Sequence, residues 1–317
     1  MLGTARGLWE SMFLHSLEPQ ILDSVPLNHP LRGLDLRTLS DERLADGAAR
    51  AILPAFDRVW SHNGHADEPR AELLDLKDSA LRRVTRVLIQ LTRITQLSER
   101  RDLNLEAQDD LLDAMTLAFV HMVGVFDAIA IANGLLAGQT EYRQMGWQKR
   151  GFQKIMRRRS PKAMALLEPR TDGGKFLTAI LSFRNTIHRR MPDPTAVGLE
   201  NGDPALRHAG LILERRSHGE ILDAFEAVGW TKFVGVELIG SDYLLLNPKT
   251  VMRLMLHDGI PLINSVVYAT HAEELGARPR MIDYDNTLYP RQLQEYAVKY
   301  LRLKYLDVAN MKSREVL

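Results

Sequence analysis

Residues 105 to 136 run LEAQDDLLDAMTLAFVHMVGVFDAIAIANGLL, with Gly138 shortly beyond them. A stretch of this length without a proline is far too long for a strand, so the spacing predicts a helix closed by a glycine. It is very apolar from Leu111 onward, yet Asp113 and Asp127 interrupt it well short of the roughly 20 uncharged residues that a bilayer span requires. The expectation is a buried helix at the centre of a helical protein, and no membrane partner.

Working outward, the segment from Arg70 to about Glu99 repeats apolar residues at three- and four-residue steps (Leu81, Val84, Val87, Leu88, Leu91, Ile94, Leu97), with arginines between them. A second long helix therefore precedes the first, joined to it by residues 101 to 104. Further upstream, Pro19, Pro26, Pro30 and Pro54 cut residues 1 to 69 into an irregular helical leader. Its clearest start signal is Ser40 before Asp41 and Glu42, and the polar loop 61 to 69 closes it.

Downstream, Ser160-Pro161 reads as an N-cap followed by a proline at the first helical position, and a third strong helix runs from Asp172-Gly173-Gly174 to near Arg190. Residues 191 to 209, rich in Pro and Gly, read as a loop. Leu211-Ile212-Leu213, Phe233 to Ile239 and Tyr243 to Leu246, with Gly240-Ser241-Asp242 between the last two, read as short strands with a hairpin turn. Asn247-Pro248 then caps a helix reaching about Glu274, bent at Gly259-Ile260-Pro261, and Pro290 opens a last one. The expected fold class is all-α, mainly a helical bundle, with a small β-hairpin insertion. Its parts are a leader (1–69), a bundle (70–274) with the insert at about 205–247, and a C-terminal extension (275–317) with one helix.

The chain of 317 residues contains no cysteine, which excludes disulfides and thiolate zinc sites and fits a reducing compartment. The N-terminal residues carry Glu10 and His15 among their apolar positions and do not make a convincing signal peptide, so a cytoplasmic location is expected. No Gly-rich phosphate loop, Gly-x-Ser-x-Gly elbow or His-Glu-x-x-His helix occurs, and no cofactor or metal is expected. His62 and His65 with Asp67 and Glu68 have ligand chemistry but read as a surface loop, and His121 as a satisfied core histidine. His257-Asp258 reads as a turn feature or a supporting pair.

The chemistry concentrates in Phe183-Arg184-Asn185-Thr186-Ile187-His188. On a helical wheel Phe176, Leu177, Ile180, Leu181, Phe183 and Ile187 share an arc of about 160°, with Arg184 near its middle and His188 inside its edge. Thr178, Ser182, Asn185 and Thr186 fall on the opposite side. An Arg on an inward face needs a carboxylate, a phosphate or water. One reading gives it Asp127 or Asp113 as a structural ion-pair partner. The other opens it to a phosphodiester, for which Arg184 supplies a planar fork of donors and His188 a proton shuttle. That pair suits metal-independent RNA cleavage by the ribose 2′-hydroxyl.

Charge distribution favours nucleic acid. Between Arg143 and Arg190 stand thirteen Lys and Arg against two acids, an excess of eleven positive charges, while the remaining 28 basic and 38 acidic residues leave a deficit of ten. The expected contacts are Lys149, Arg150, Lys154, Arg157, Arg158, Arg159, Arg189 and Arg190, with Trp147, alongside Tyr142 and Phe152, available to stack on bases.

Arg184-Asn185-x-x-His188 at the end of an amphipathic helix resembles the Arg-polar-x(n)-His motif of the HEPN superfamily, which includes toxin and antiviral ribonucleases; the spacing here is shorter than the family's usual one. The resemblance covers about residues 70 to 274. It implies catalytic roles for Arg184, Asn185 and His188 in a cleft at a homodimer interface, with RNA as substrate, Asp127 orienting Arg184 from behind, and a protein partner such as an antitoxin. The expected setting is stress response or phage defence. A different class of reading is a non-catalytic helical scaffold that binds nucleic acid, nucleotide or a protein through the same basic face.

Overall fold

Helix α1 (Asp41–Ile52) begins where the acidic pair Asp41-Glu42 predicts, and α2 (Pro69–Ser98) and α3 (Leu105–Leu136) follow the two apolar repeats. The computed structural model describes residues 41–56, 69–98, 104–187, 189–197, 208–232, 236–239 and 242–274. Most of the leader (with Ser40, His62, His65, Asp67 and Glu68), His188 and the extension after Glu274 lie outside the described residues.

Asn104 caps α3 by accepting a hydrogen bond from the Ala107 amide at 2.9 Å. Gly138, with φ 76°, ends it, and the Gln139 amide reaches back to the Gly134 carbonyl at 2.8 Å, the glycine-dependent closure the sequence signals. Arg93 on α2 meets Asp110 on α3 at 2.8 Å, and Arg83 lies against Gly124, so the two helices run antiparallel. Although α3 is long and apolar enough to cross a bilayer by length and composition, it packs inside the protein, with Phe119, Met122 and Phe126 fully covered.

A 3₁₀ turn at Tyr142–Gln144 leads to α4 (Arg150–Arg159), α5 (Pro161–Leu166) and α6 (Asp172–Ile187). Pro161 opens α5 as expected, but Ser160 is buried and its hydroxyl finds no partner, so the proline and not a side-chain cap sets that start. Helix α6 lies antiparallel on α3, as the ring pairs Phe119–Phe183 and Phe126–Phe176 require.

The segment 191–209 contains a strand, contrary to the expected loop. Strand β1 (Asp193–Val197) pairs antiparallel with β2 (His208–Glu214), and helix α7 (Arg215–Ala227) and a 3₁₀ turn (Trp230–Lys232) lead on to β3 (Val236–Ile239) and β4 (Tyr243–Leu246). The sheet order is β1-β2-β4-β3, so β3–β4 is the expected hairpin and β1 is an edge strand, the position in which Pro194 costs no ladder bond. The fold class therefore stands as mainly α with a small β element, and the hairpin is widened by two strands. Leu211 opposite Leu246 and Leu213 opposite Leu244 make one buried face of this sheet.

Helix α8 (Pro248–Glu274) starts as predicted, with Asn247 accepting from the Thr250 amide at 3.1 Å, and continues through Pro261. It closes the bundle. Buried Asn264 donates to the Ile52 carbonyl at 2.8 Å and accepts from the Ala55 amide at 3.2 Å, tying α8 to the end of α1. Those two bonds, with the Thr85 hydroxyl of α2 donating to Asp46 at 3.3 Å, set the register of α1.

Candidate functional site

Helix α6 carries the motif. Its start is set by Thr171, whose hydroxyl accepts from the Gly174 amide at 3.1 Å, and by Asp172 in the positive first turn. Phe176, Ala179, Ile180, Phe183, Thr186 and Ile187 are buried. With Leu177 also buried, this face is rotated by roughly 50° from the arc read off the sequence, because Ala179 and Thr186 belong to it and Leu181 does not. Thr186, expected on the polar side, is buried with its hydroxyl unpartnered. Arg184 consequently sits at the edge of the buried face, half-exposed, and Asn185 is exposed.

The Arg184 Nε donates to Asn185 Oδ1 at 3.2 Å, which holds the guanidinium along the outer surface of the helix end. Among the described residues it makes no ion pair. The structural partnership with Asp113 or Asp127 is not formed: Asp113 is exposed, and Asp127 feels Arg184 without contact. Although Asp127 is exposed as a whole residue, crowding by neighbouring helices raises its pKa, while Arg184 and then Arg83 pull it down. A carboxylate in direct contact with a guanidinium would titrate low instead. Asp127 is thus a neighbour of Arg184 in charge, not a hydrogen-bonded support.

His188 lies outside the described residues, and the Arg–His geometry with it. Arg189 and Arg190 are exposed, in a turn where both amides return to the Thr186 carbonyl at 2.8 and 2.9 Å. Lys149, Arg150, Lys154, Arg157, Arg158 and Arg159 are all exposed on and before α4, which buries only Phe152 and Met156. Arg157 stands 3.8 Å from Glu168, and both are well exposed, so this pair contributes little to stability. Among the described residues, Arg157–Glu168 is the one ion pair that these exposed basic side chains form.

Trp147 does not belong to that surface. It is 4% exposed, its indole donates to the Phe126 carbonyl at 2.9 Å, and Phe152 packs edge-on against it at 5.4 Å. An apolar ring with a satisfied N–H is a core residue. Of the three aromatics expected to stack on bases, only Tyr142 is exposed.

The structure adds Arg83 and Gly124 to the residues that the sequence singles out. Helix α3 presents His121, Gly124 and Asp127 at three-residue steps, and Arg83 of α2 lies across Gly124, its Cζ 2.7 Å and Cδ 3.0 Å from where a Cβ would stand. A glycine inside a long helix was the available signal, since it permits close approach. The Arg83 Nε is buried without a partner, and so is the His121 Nδ1, which corrects the expectation of a satisfied core histidine. His257 and Asp258 form a pair at 2.8 Å, with Asp258 also accepting from the Trp230 indole at 2.7 Å. No group of three or more His, Asp or Glu among the described residues could hold a metal ion.

Burial, then Arg83 and Arg86, hold His121 below its ordinary pKa of 6.5. The folded protein therefore binds that proton less readily than the unfolded chain, so stability is lost as pH falls from 6.5 through the lowered value. Urea denaturation near pH 7.5 and near pH 5.5 should show a smaller acid-side loss for His121→Gln than for the wild type. Equal losses would show that the fold does not hinder protonation of this imidazole.

Compared with known proteins, the chain matches no family model, no curated protein and no solved structure.

Proposed function

We propose that this chain is a HEPN-like RNA-binding protein that acts as a metal-independent endoribonuclease, working as a homodimer in the cytoplasm in stress response or phage defence. The observation that carries the reading is Arg184: a half-buried arginine at a helix end, hydrogen-bonded to Asn185 and in contact with no carboxylate among the described residues. A guanidinium so held offers its remaining donors to a phosphodiester. The exposed basic residues of α4, with Arg189 and Arg190, draw a polyanion toward it, and with Trp147 and Phe152 buried the attraction is electrostatic more than stacking.

In the proposed reaction the ribose 2′-oxygen attacks phosphorus as the bond to the 5′-oxygen breaks, leaving a 2′,3′-cyclic phosphate and a 5′-hydroxyl. Arg184 neutralises charge on the non-bridging oxygens, and His188 takes or returns the proton. Single-stranded RNA incubated with the protein in EDTA should be cleaved, and His188→Ala should slow cleavage by about 10²- to 10⁴-fold with unchanged thermal unfolding. Binding that weakens steeply with salt, without cleavage by the wild type, would identify the chain as a non-catalytic scaffold for nucleic acid. Inertness in both assays would overturn the reading.

A further inference from the structure

We propose that Arg83, reaching across Gly124 from α2, is a second phosphate-binding residue of the same site, so that the guanidiniums of Arg83 and Arg184 flank Asp127 and together hold an RNA phosphodiester. This rests on the assignment of Arg184 to phosphate and adds a residue from a helix far away in sequence.

The geometry begins at Gly124. Any side chain there would run into Arg83, with Cζ at 2.7 Å, so the absence of a Cβ is what admits the guanidinium onto the α3 backbone. Bringing an arginine this close to a packed helix costs desolvation, and a purely structural arginine would recover it with a carboxylate. Arg83 does not: its Nε is buried without a partner, and among the described residues it makes no ion pair. The next polar atom along the same face, Nδ1 of His121, is also buried and unpartnered. Two adjacent buried groups with spare hydrogen-bonding capacity are what a site for a polar ligand leaves behind when empty.

Asp127, three residues beyond Gly124, lies within electrostatic reach of both Arg83 and Arg184 and in contact with neither. Each guanidinium thus keeps its donors for a ligand while the carboxylate moderates their shared field. A phosphate entering between them would meet Asp127 as a like charge, so this residue should work against binding. A structural role makes the opposite demand, since two arginines deprived of a nearby carboxylate would lose stability and gain nothing in affinity.

The test compares Arg83→Gln, Arg184→Gln and Asp127→Asn with the wild type, measuring binding of a fluorescein-labelled single-stranded oligoribonucleotide across a salt series, with thermal unfolding recorded for each. Both arginine variants should bind about tenfold more weakly. Each should also flatten the salt slope by about 0.7, the value for one phosphate contact on a single strand. Asp127→Asn should bind severalfold more tightly. If Arg184→Gln weakens binding and Arg83→Gln does not, this inference is overturned while the proposed function stands; if neither weakens it, both fall. Asp127→Asn that melts earlier and binds no better would also overturn it. Should Arg83→Gln not fold, Arg83→Lys serves: it should keep the salt slope and lose affinity severalfold, and unchanged affinity would refute the role.

Discussion

Gly174→Ala is expected to cost about 3 kcal/mol or more of stability, read as a fall in the urea midpoint. The residue is buried in the first turn of α6, where a Cβ would collide with the Glu168 carbonyl oxygen, with its carbon at 2.5 Å and with the Pro169 Cα at 2.9 Å. These are backbone atoms, so no rotamer change can relieve the overlap and the turn before α6 must move away as a unit. That turn is held by Thr171, whose hydroxyl lies 2.8 Å from the Leu166 carbonyl and 2.7 Å from that of Glu168 while it receives the Gly174 amide. Displacing the turn therefore strips the helix start of its cap as well. Gly173 is similarly confined, by the Leu166 carbonyl and by Leu262 Cδ1 at 2.7 Å. Gly151 and Gly219 are internal controls: both lie within helices with nothing within 4 Å of a Cβ, so alanine there should stabilise by up to about 1 kcal/mol. If Gly174→Ala were as benign as Gly151→Ala, the close packing of α6 on residues 166–169 would be wrong.

That pair of glycines also marks how far the sequence could be read. Gly173-Gly174 in the sequence signals only a helix start, and the fold reveals that it is there for backbone contact. Helices α2, α3 and α8 were legible because long apolar repeats and caps at Asn247 and Gly138 are local signals, complete within one segment. Strand β1 was not, because Pro194 is tolerated only at a sheet edge and edges are defined by partners distant in sequence. Helix α7 hides behind Gly219 and a kink at His218, whose φ is −127°. Trp147 among basic residues and Thr186 among polar ones were assigned by their neighbours in sequence, whereas tertiary packing buried both. For the site, Arg184 and Asn185 were legible as a motif. Arg83 joins His121 and Asp127 only when α2 packs on α3, and Arg184 comes near Asp127 only when α6 does.

That packing depends on one ring, and Phe183→Ala is expected to destabilise the protein by about 3–5 kcal/mol, comparable to the entire margin of many domains. Phe183 is fully buried, stacked on Phe119 of α3 with centroids 4.0 Å apart and parallel to Phe225 of α7 at 6.2 Å. Phe225 in turn meets Trp230 at 4.8 Å, so removing the Phe183 ring opens a void shared by three helices. Little can collapse into it, because the surrounding rings are themselves held by one another. The functional consequence follows from chain order. Arg184 is the next residue, and its position at the edge of the buried face is fixed by the depth at which Phe183 inserts against α3. Phe183→Leu refills part of the volume and should cost less, yet it lets α6 shift against α3 and should weaken RNA binding while the protein stays folded. Urea unfolding and RNA titration on the two variants separate these effects. A Phe183→Leu protein that binds RNA as the wild type does would mean that Arg184 is seated by something other than this stack.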